Sequence, residues 1–374
     1  MIFCKNCFRD PEIASIIEKV GHIGECPICG AKHEYLYDTQ NDNSLDAIFD
    51  DLLSVYTAES DWPPEYPHGE MKKLADILKN DWNIFADISD ELVLDILKSL
   101  SPDVEKNYIK IFEEPVGIQE RYDLEYLKQH SILQAKEWSD FVHILKHQNR
   151  FHSKIINPDF LREYCLCIAE DIPVDHKRFY RGRIAKNPDG FRPRDMGAPP
   201  ADRAVDGRAN SAGISRLYLT DNRETTLHEI RAAEYDYVTI GTFKPMRTIR
   251  VVNLKKIAKI SPFNTENVID CTALAVNREY LSKINEELSH PLRRNDSALD
   301  YLPTQYIIDF IQSLSNDDGT PMFDGIKYQS AMHSKGSNLT IFNPELFKCT
   351  YCNTYEVIKL GYRKKPITRR IKDN

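Results

Sequence analysis

Four cysteines near the start of the chain, Cys4, Cys7, Cys26 and Cys29, fall into two Cys-x-x-Cys pairs. Each pair can fold both thiolates onto one ion, and the segment between the pairs has about the length found in zinc ribbons, so the spacing predicts a tetrahedral zinc site. Gly24, Pro27 and Gly30 suit the tight turns such ligands need. Four thiolates complete the coordination shell and leave no position for a substrate, so this zinc is expected to be structural. Cys349 and Cys352 form a solitary third pair, for which ordinary packing is the expectation. Cys165 and Cys167 lie two apart on an expected helix and therefore point to different faces, which argues against a shared ion.

A second chemistry-bearing stretch runs from Asp206 to Thr220 and reads DGRANSAGISRLYLT. A loop of small residues interrupted by Arg208 leads into a short apolar strand carrying Tyr218, which sets a guanidinium beside an aromatic ring. The planar guanidinium makes paired hydrogen bonds to anionic oxygens better than a lysine does. The ring offers apolar area with one polar handle.

These residues need elements to hold them. Residues 1–42 read as a zinc ribbon and residues 43–171 as a helical domain. In SDELVLDILKSL the apolar residues Leu92, Val93, Ile96, Leu97 and Leu100 keep a helical period, with Ser89 as a cap. The run from Arg121 to Arg150 is rich in helix formers and contains neither Pro nor Gly. A helical HEPN-type ribonuclease would need an arginine followed four to six residues later by a histidine. Arg121 to His130 and Arg150 to His152 both miss that spacing, which leaves sensing, binding or assembly for this region. From about residue 172 the character turns to α+β: an arginine-bearing strand, a Pro- and Gly-rich loop, the strand ISRLYLT, the helix NRETTLHEIRAAE, further strands and a helix around PTQYIIDFIQSL. The catalytic candidate spans 172–348, and 349–374 is expected to be a C-terminal strand and a basic tail.

Composition narrows the options. A formal net charge of −8 over 374 residues argues against a protein whose main task is gripping a nucleic-acid backbone, so nucleic acid is not an expected partner. The basic run YRKKPITRRIKD is expected to be solvated. No stretch approaches the roughly 18 apolar residues of a membrane span, and the start MIFCKNCFRD lacks the apolar core of a signal peptide. A cytoplasmic location without membrane partners is the expectation. No G-x-G-x-x-G follows a strand, which excludes a Rossmann dehydrogenase site.

The blocks FYRGR, MGAPP followed by GRANSAGISRLYLT, TTLHEIR, and GIKYQS followed by GSNLTIF occur in the order seen in the RES domain, and the segment from about Ile172 to Leu346 resembles that family. Its name comes from an arginine, a glutamate and a serine, here Arg181, Glu229 and Ser330. The resemblance implies an ADP-ribosyltransferase-like fold. It also implies NAD as a substrate, cleaved by hydrolysis or phosphorolysis or used to transfer ADP-ribose, often by bacterial toxins held by an antitoxin. Members with an added helical N-terminal part resemble this chain in layout, while the zinc ribbon lies outside the domain with the known activity. Residue chemistry agrees. Arg181 and Arg208 are the candidates for the pyrophosphate, Glu229 for the sugar cation left when nicotinamide departs, and Tyr218 for the nicotinamide or ribose. Ser330 could donate to a phosphate or to the nicotinamide amide, with Tyr180, Asn338 and His333 as further candidates. The leading reading is a NAD-degrading RES-type toxin or defence effector. An ADP-ribosyltransferase and an inactive zinc-dependent binding module are the alternatives. Oligomerisation stays open.

Overall fold

The computed structural model describes residues 1–175, 178–264, 269–289 and 297–361. The basic run at 362–373 lies outside the described residues. The chain divides into two units: Met1–Ala169 with Asn253–Glu287, and Glu170–Val252 with Leu288–Asn374.

In the first unit, β1 (Ile2–Cys4), β2 (His22–Gly24) and β3 (Glu34–Asp38) form an antiparallel sheet in the order β1-β3-β2. The helix Pro11–Val20 accompanies it, started by Asp10, whose carboxylate accepts from the Glu12 and Ile13 amides, with proline at the first helical position. That helix buries Ile13 and Ile17, and the Phe3 and Tyr37 rings stack at 5.4 Å. The expected helix around Ser89 forms as Asp90–Leu100, with the Ser89 hydroxyl accepting from the Leu92 amide and with Val93, Ile96, Leu97 and Leu100 buried.

Three features depart from the sequence reading. The helix-prone run from Arg121 to Arg150 is broken into Leu124–His130 and Trp138–His147. Gln134 and Ala135 between them take φ of 48° and 65°, left-handed values that end a helix whatever the side-chain propensity. A small sheet of β4 (Thr57–Ala58), β5 (Lys72–Lys73) and β6 (Pro115–Gly117), in the order β4-β6-β5, stands inside the region expected to be helical. Finally, the helix Cys271–Ser289, placed by sequence inside the 172–348 block, belongs through Glu287 to the first unit. Its fully buried Asn277 explains this. The amide oxygen accepts from the Ile132 N–H at 2.6 Å and the amide nitrogen donates to the His130 carbonyl at 2.6 Å, so the side chain replaces water for two backbone groups of that unit.

The second unit is built on an eight-stranded sheet of β7 (Ala169–Ile172), β8 (Phe179–Ala185), β9 (Leu217–Thr220), β10 (Tyr237–Pro245), β11 (Ile249–Asn253), β12 (Gly325–Gln329), β13 (Ser337–Ile341) and β14 (Phe347–Glu356). Its order is β14-β10-β8-β9-β13-β12-β11-β7. This is the expected α+β class. Strand β14 runs across the 348/349 boundary drawn from sequence and pairs with β10 from Tyr237↔Glu356 to Pro245↔Phe347. Cys349 and Cys352 are half-buried on it and donate to the Tyr351 and Phe191 carbonyls. Leu217, Leu219, Leu339 and Ile341 point into one buried cluster with Phe179, Met196 and Phe243. Side chains alternate along a strand, so Tyr218, Thr220, Asn338 and Thr340 face the other way, where the functional residues gather. Among the described residues no helix is long and apolar enough to cross a membrane.

Candidate active site

A cavity of 530 Å³ lies in the second unit, within the roughly 300–1,000 Å³ typical of small-molecule sites. Tyr180, Arg181, Arg208, Tyr218, Glu229 and Asn338, far apart in sequence, all line it. Five arginines (Arg181, Arg203, Arg208, Arg216, Arg231) face two carboxylates (Asp206, Glu229) in its walls, an excess of positive charge that favours an anionic ligand.

Glu229 ends the helix Arg223–Glu229, whose start is fixed by Asn222 accepting from the Thr225 amide. Both of its hydrogen bonds fall on one oxygen. Ser330 Oγ donates to Oε1 at 2.6 Å and Asn338 Nδ2 donates to the same atom at 2.8 Å. Among the described residues nothing binds Oε2, so the carboxylate is held firmly with one oxygen free for a ligand.

Ser330 thereby takes a different part from the one its type suggested. It is 4% exposed, its hydroxyl accepts from the Met332 and His333 amides, and its single proton goes to Glu229. It positions Glu229 and does not line the cavity.

The loop before β9 shows why it is rich in small residues. A Cβ on Gly207 would stand 2.9 Å from Asn210 Oδ1 and 3.0 Å from the Tyr218 hydroxyl, and only glycine lets the loop come that close without a shift. Tyr218 donates to Asn210 Oδ1 at 2.5 Å, which fixes the ring, and burial raises its phenol well above the ordinary value. Arg208 donates to the Leu288 carbonyl at 2.7 Å. No carboxylate among the described residues lies within 4.0 Å of its guanidinium.

Arg181 stands apart. It neighbours Tyr180 on β8, so alternation sends it towards the Phe179 face, where Nη1 donates to the Met196 and Gly197 carbonyls. Burial, with Arg183 nearby, lowers it to about 10, so it keeps its charge at neutral pH. It too has no carboxylate partner among the described residues, which leaves a desolvated cation at the cavity wall. Tyr180 is covered by Arg223, 5.3 Å from its ring centre.

Several lining or supporting residues escaped the sequence reading. Gln305 donates to the Gly207 and Asn210 carbonyls, both at 2.9 Å, and Thr304 donates to the Arg208 carbonyl at 2.9 Å. The helix Leu302–Ser313 thus pins the loop. Arg216 is buried to 1% exposure at the cavity, paired with Asp309 at 2.6 Å, while its Nε and Nη1 find no hydrogen-bond partner among the described residues. A Gln in a helix or an Arg before a strand carries no local signal of such a role.

In the first unit the four N-terminal cysteines converge. The Cys4–Cys7, Cys4–Cys29 and Cys7–Cys26 sulfurs are 3.9, 3.4 and 3.7 Å apart. A tetrahedron with bonds of about 2.3 Å to sulfur has edges of about 3.8 Å, so the donor set fits a metal ion. Burial pushes the Cys4 thiol up to about 12 and the Cys7 thiol higher still. Burial also raises Cys26, but hydrogen bonds from the Cys29 and Ile28 amides and its cysteine neighbours bring it below the ordinary value. A bound cation would supply the missing countercharge for the other thiolates.

Residues 179–357 match the family model of the RES domain, so the chain carries that domain. It supports a toxin-like, NAD-related enzymatic role in general. No curated protein and no solved structure matches the chain.

Proposed function

We propose that this RES-domain chain consumes NAD by breaking the bond between nicotinamide and ribose. The observation that carries the reading is Glu229, fixed through Oε1 by Ser330 and Asn338, with Oε2 unclaimed at an arginine-lined cavity. In this account Arg208 holds the pyrophosphate, Arg181 adds its charge from the other face of β8, and Tyr218 and Tyr180 offer their rings to the ribose and nicotinamide. The C1′–N bond breaks with its electron pair passing to the nicotinamide nitrogen, which neutralises the pyridinium, and positive charge develops at C1′ and the ring oxygen. Glu229 Oε2 stabilises that charge. Water or phosphate then attacks C1′ and releases a proton, giving ADP-ribose or its 1″-phosphate; attack by a nucleophile of a target molecule would make the same site a transferase. An ADP-ribosyltransferase-like architecture, a cytoplasmic setting and restraint by a cognate antitoxin belong to the same proposal. So do structural zinc at Cys4, Cys7, Cys26 and Cys29 and a controlling part for the first unit.

Arg208→Ala tests the clamp. A pyrophosphate contact holds ground state and transition state alike, so the variant should raise KM by about 10- to 100-fold, the scale of one charged hydrogen-bonded contact. Steady-state NAD cleavage reads this, and a kcat loss at unchanged KM would remove Arg208 from the clamp.

The proposal as a whole is tested in cells. Expression in bacteria should arrest growth and lower total NAD, and Arg181→Ala should relieve both. Arrest with unchanged NAD would replace NAD destruction with transfer to a specific target.

A further inference from the structure

Beside Glu229, but outside the cavity, three further donors face one another. Glu224 and His228 lie one turn apart on the helix Arg223–Glu229, and His333 stands in the loop between β12 and β13. The His228 and His333 rings lie 4.9 Å apart and nearly parallel at 14°, His333 Nε2 is 4.0 Å from Glu224 Oε1, and one ligand atom from each of the three falls within 4.8 Å of the others.

Nδ1 of His333 is engaged by Thr225, which leaves Nε2 towards Glu224. Thr225 Oγ1 lies 2.9 Å from Asn222 Oδ1, which can only accept, and 2.8 Å from His333 Nδ1. In the neutral tautomer with the proton on Nδ1, Thr225 Oγ1 accepts from it and Nε2 presents a lone pair to the Glu224 carboxylate. In that form two acceptors stand 4.0 Å apart with a second imidazole beside them, an arrangement that a cation would resolve. An outer partner fixing the ring that offers a nitrogen is the usual support of a histidine ligand. Close packing holds the loop there, since a Cβ on Gly336 would stand 1.8 Å from Thr225 Oγ1.

We propose that Glu224, His228 and His333 form a second metal site, for a divalent transition ion such as Zn²⁺ or Ni²⁺, that clips the loop 331–336 to the helix carrying Glu229. Two imidazoles and one carboxylate suit these ions better than Mg²⁺ or Ca²⁺ and leave coordination positions for water. Bonds of about 2.0–2.2 Å need ligand atoms about 3.4 Å apart, a contraction of roughly 1 Å that the exposed Glu224 and His228 side chains can make by rotation. Ser330 immediately precedes this loop and Glu229 ends this helix, so the ion would tie together the two segments whose side chains meet at the Ser330–Glu229 hydrogen bond. The proposal stands on this geometry and does not depend on the NAD reading.

The test is Ni²⁺ titration of the untagged full chain by calorimetry, with a single equivalent of Zn²⁺ held at the four-cysteine site and none in excess. One further equivalent should bind and be lost in the His228→Gln, His333→Gln double variant, whose folding is checked by circular dichroism. Thr225→Val should keep the stoichiometry and weaken binding about 10- to 100-fold, as removal of an outer partner does. Hydrogen exchange in 331–336 should slow on Ni²⁺ addition. No further equivalent, a further equivalent unchanged in the double variant, equal affinity in Thr225→Val, or unchanged exchange of the loop would each overturn the proposal.

Discussion

Glu229→Gln should lower NAD turnover on the order of 10²-fold or more, the scale of removing one preorganised electrostatic contact. The substitution keeps the shape of the side chain, and its amide oxygen can still accept from Ser330 and Asn338 in place of Oε1. What it removes is the countercharge at Oε2, felt chiefly when charge develops at C1′. The loss should therefore appear in kcat with little change in KM, the mark of an interaction made in the transition state. Steady-state kinetics on protein shown by circular dichroism to be folded provide the check. Near-normal turnover would mean that another group stabilises the sugar cation.

A comparably large effect is expected from removing the metal at the four cysteines. The ribbon rests on strands of three, three and five residues and one helix, too little structure to hold buried thiols together without an ion. Structural zinc contributes roughly 10–16 kcal/mol of apparent binding energy at neutral pH in small fingers, as much as an entire domain's net stability of about 5–15 kcal/mol. Cys26→Ser or stripping with a strong chelator should therefore open the ribbon and expose β1 to β3 to protease, while the sheet of the second unit keeps its fold. Limited proteolysis with mass spectrometry reads the first effect, and elemental analysis should find tightly held zinc, one equivalent of which Cys26→Ser loses. Native protein with no zinc would refute the assignment.

What could be read from the sequence followed the range of the interactions. The four cysteines are legible because their ligand spacing is local, and the helix at Asp90–Leu100 because a cap and an apolar period suffice to describe it. Arg208, Tyr218, Glu229 and Asn338 were found through short blocks in a family order, and the cavity brings them together. The part played by Ser330 was hidden, since a proton committed to Glu229 is visible only once 101 residues of separation have been folded away. Gln305 and Arg216 were missed for the same reason: each acts through backbone or side-chain groups about 93 to 98 positions distant. The left-handed backbone at Gln134 and Ala135 defeated a propensity argument that rested on good helix formers alone. Asn277 shows the same limit, because a mid-helix asparagine gives no sign of the distant backbone it satisfies.

The central claim is that the arginine-lined cavity breaks the nicotinamide–ribose bond, and product analysis tests it most directly. Purified full-length protein is incubated with NAD, with and without phosphate, and nicotinamide and the ADP-ribosyl product are quantified by chromatography and mass spectrometry. The account expects one nicotinamide released per NAD consumed over many turnovers, with ADP-ribose or its 1″-phosphate in equal amount. NAD that binds to folded protein and is recovered intact would contradict it.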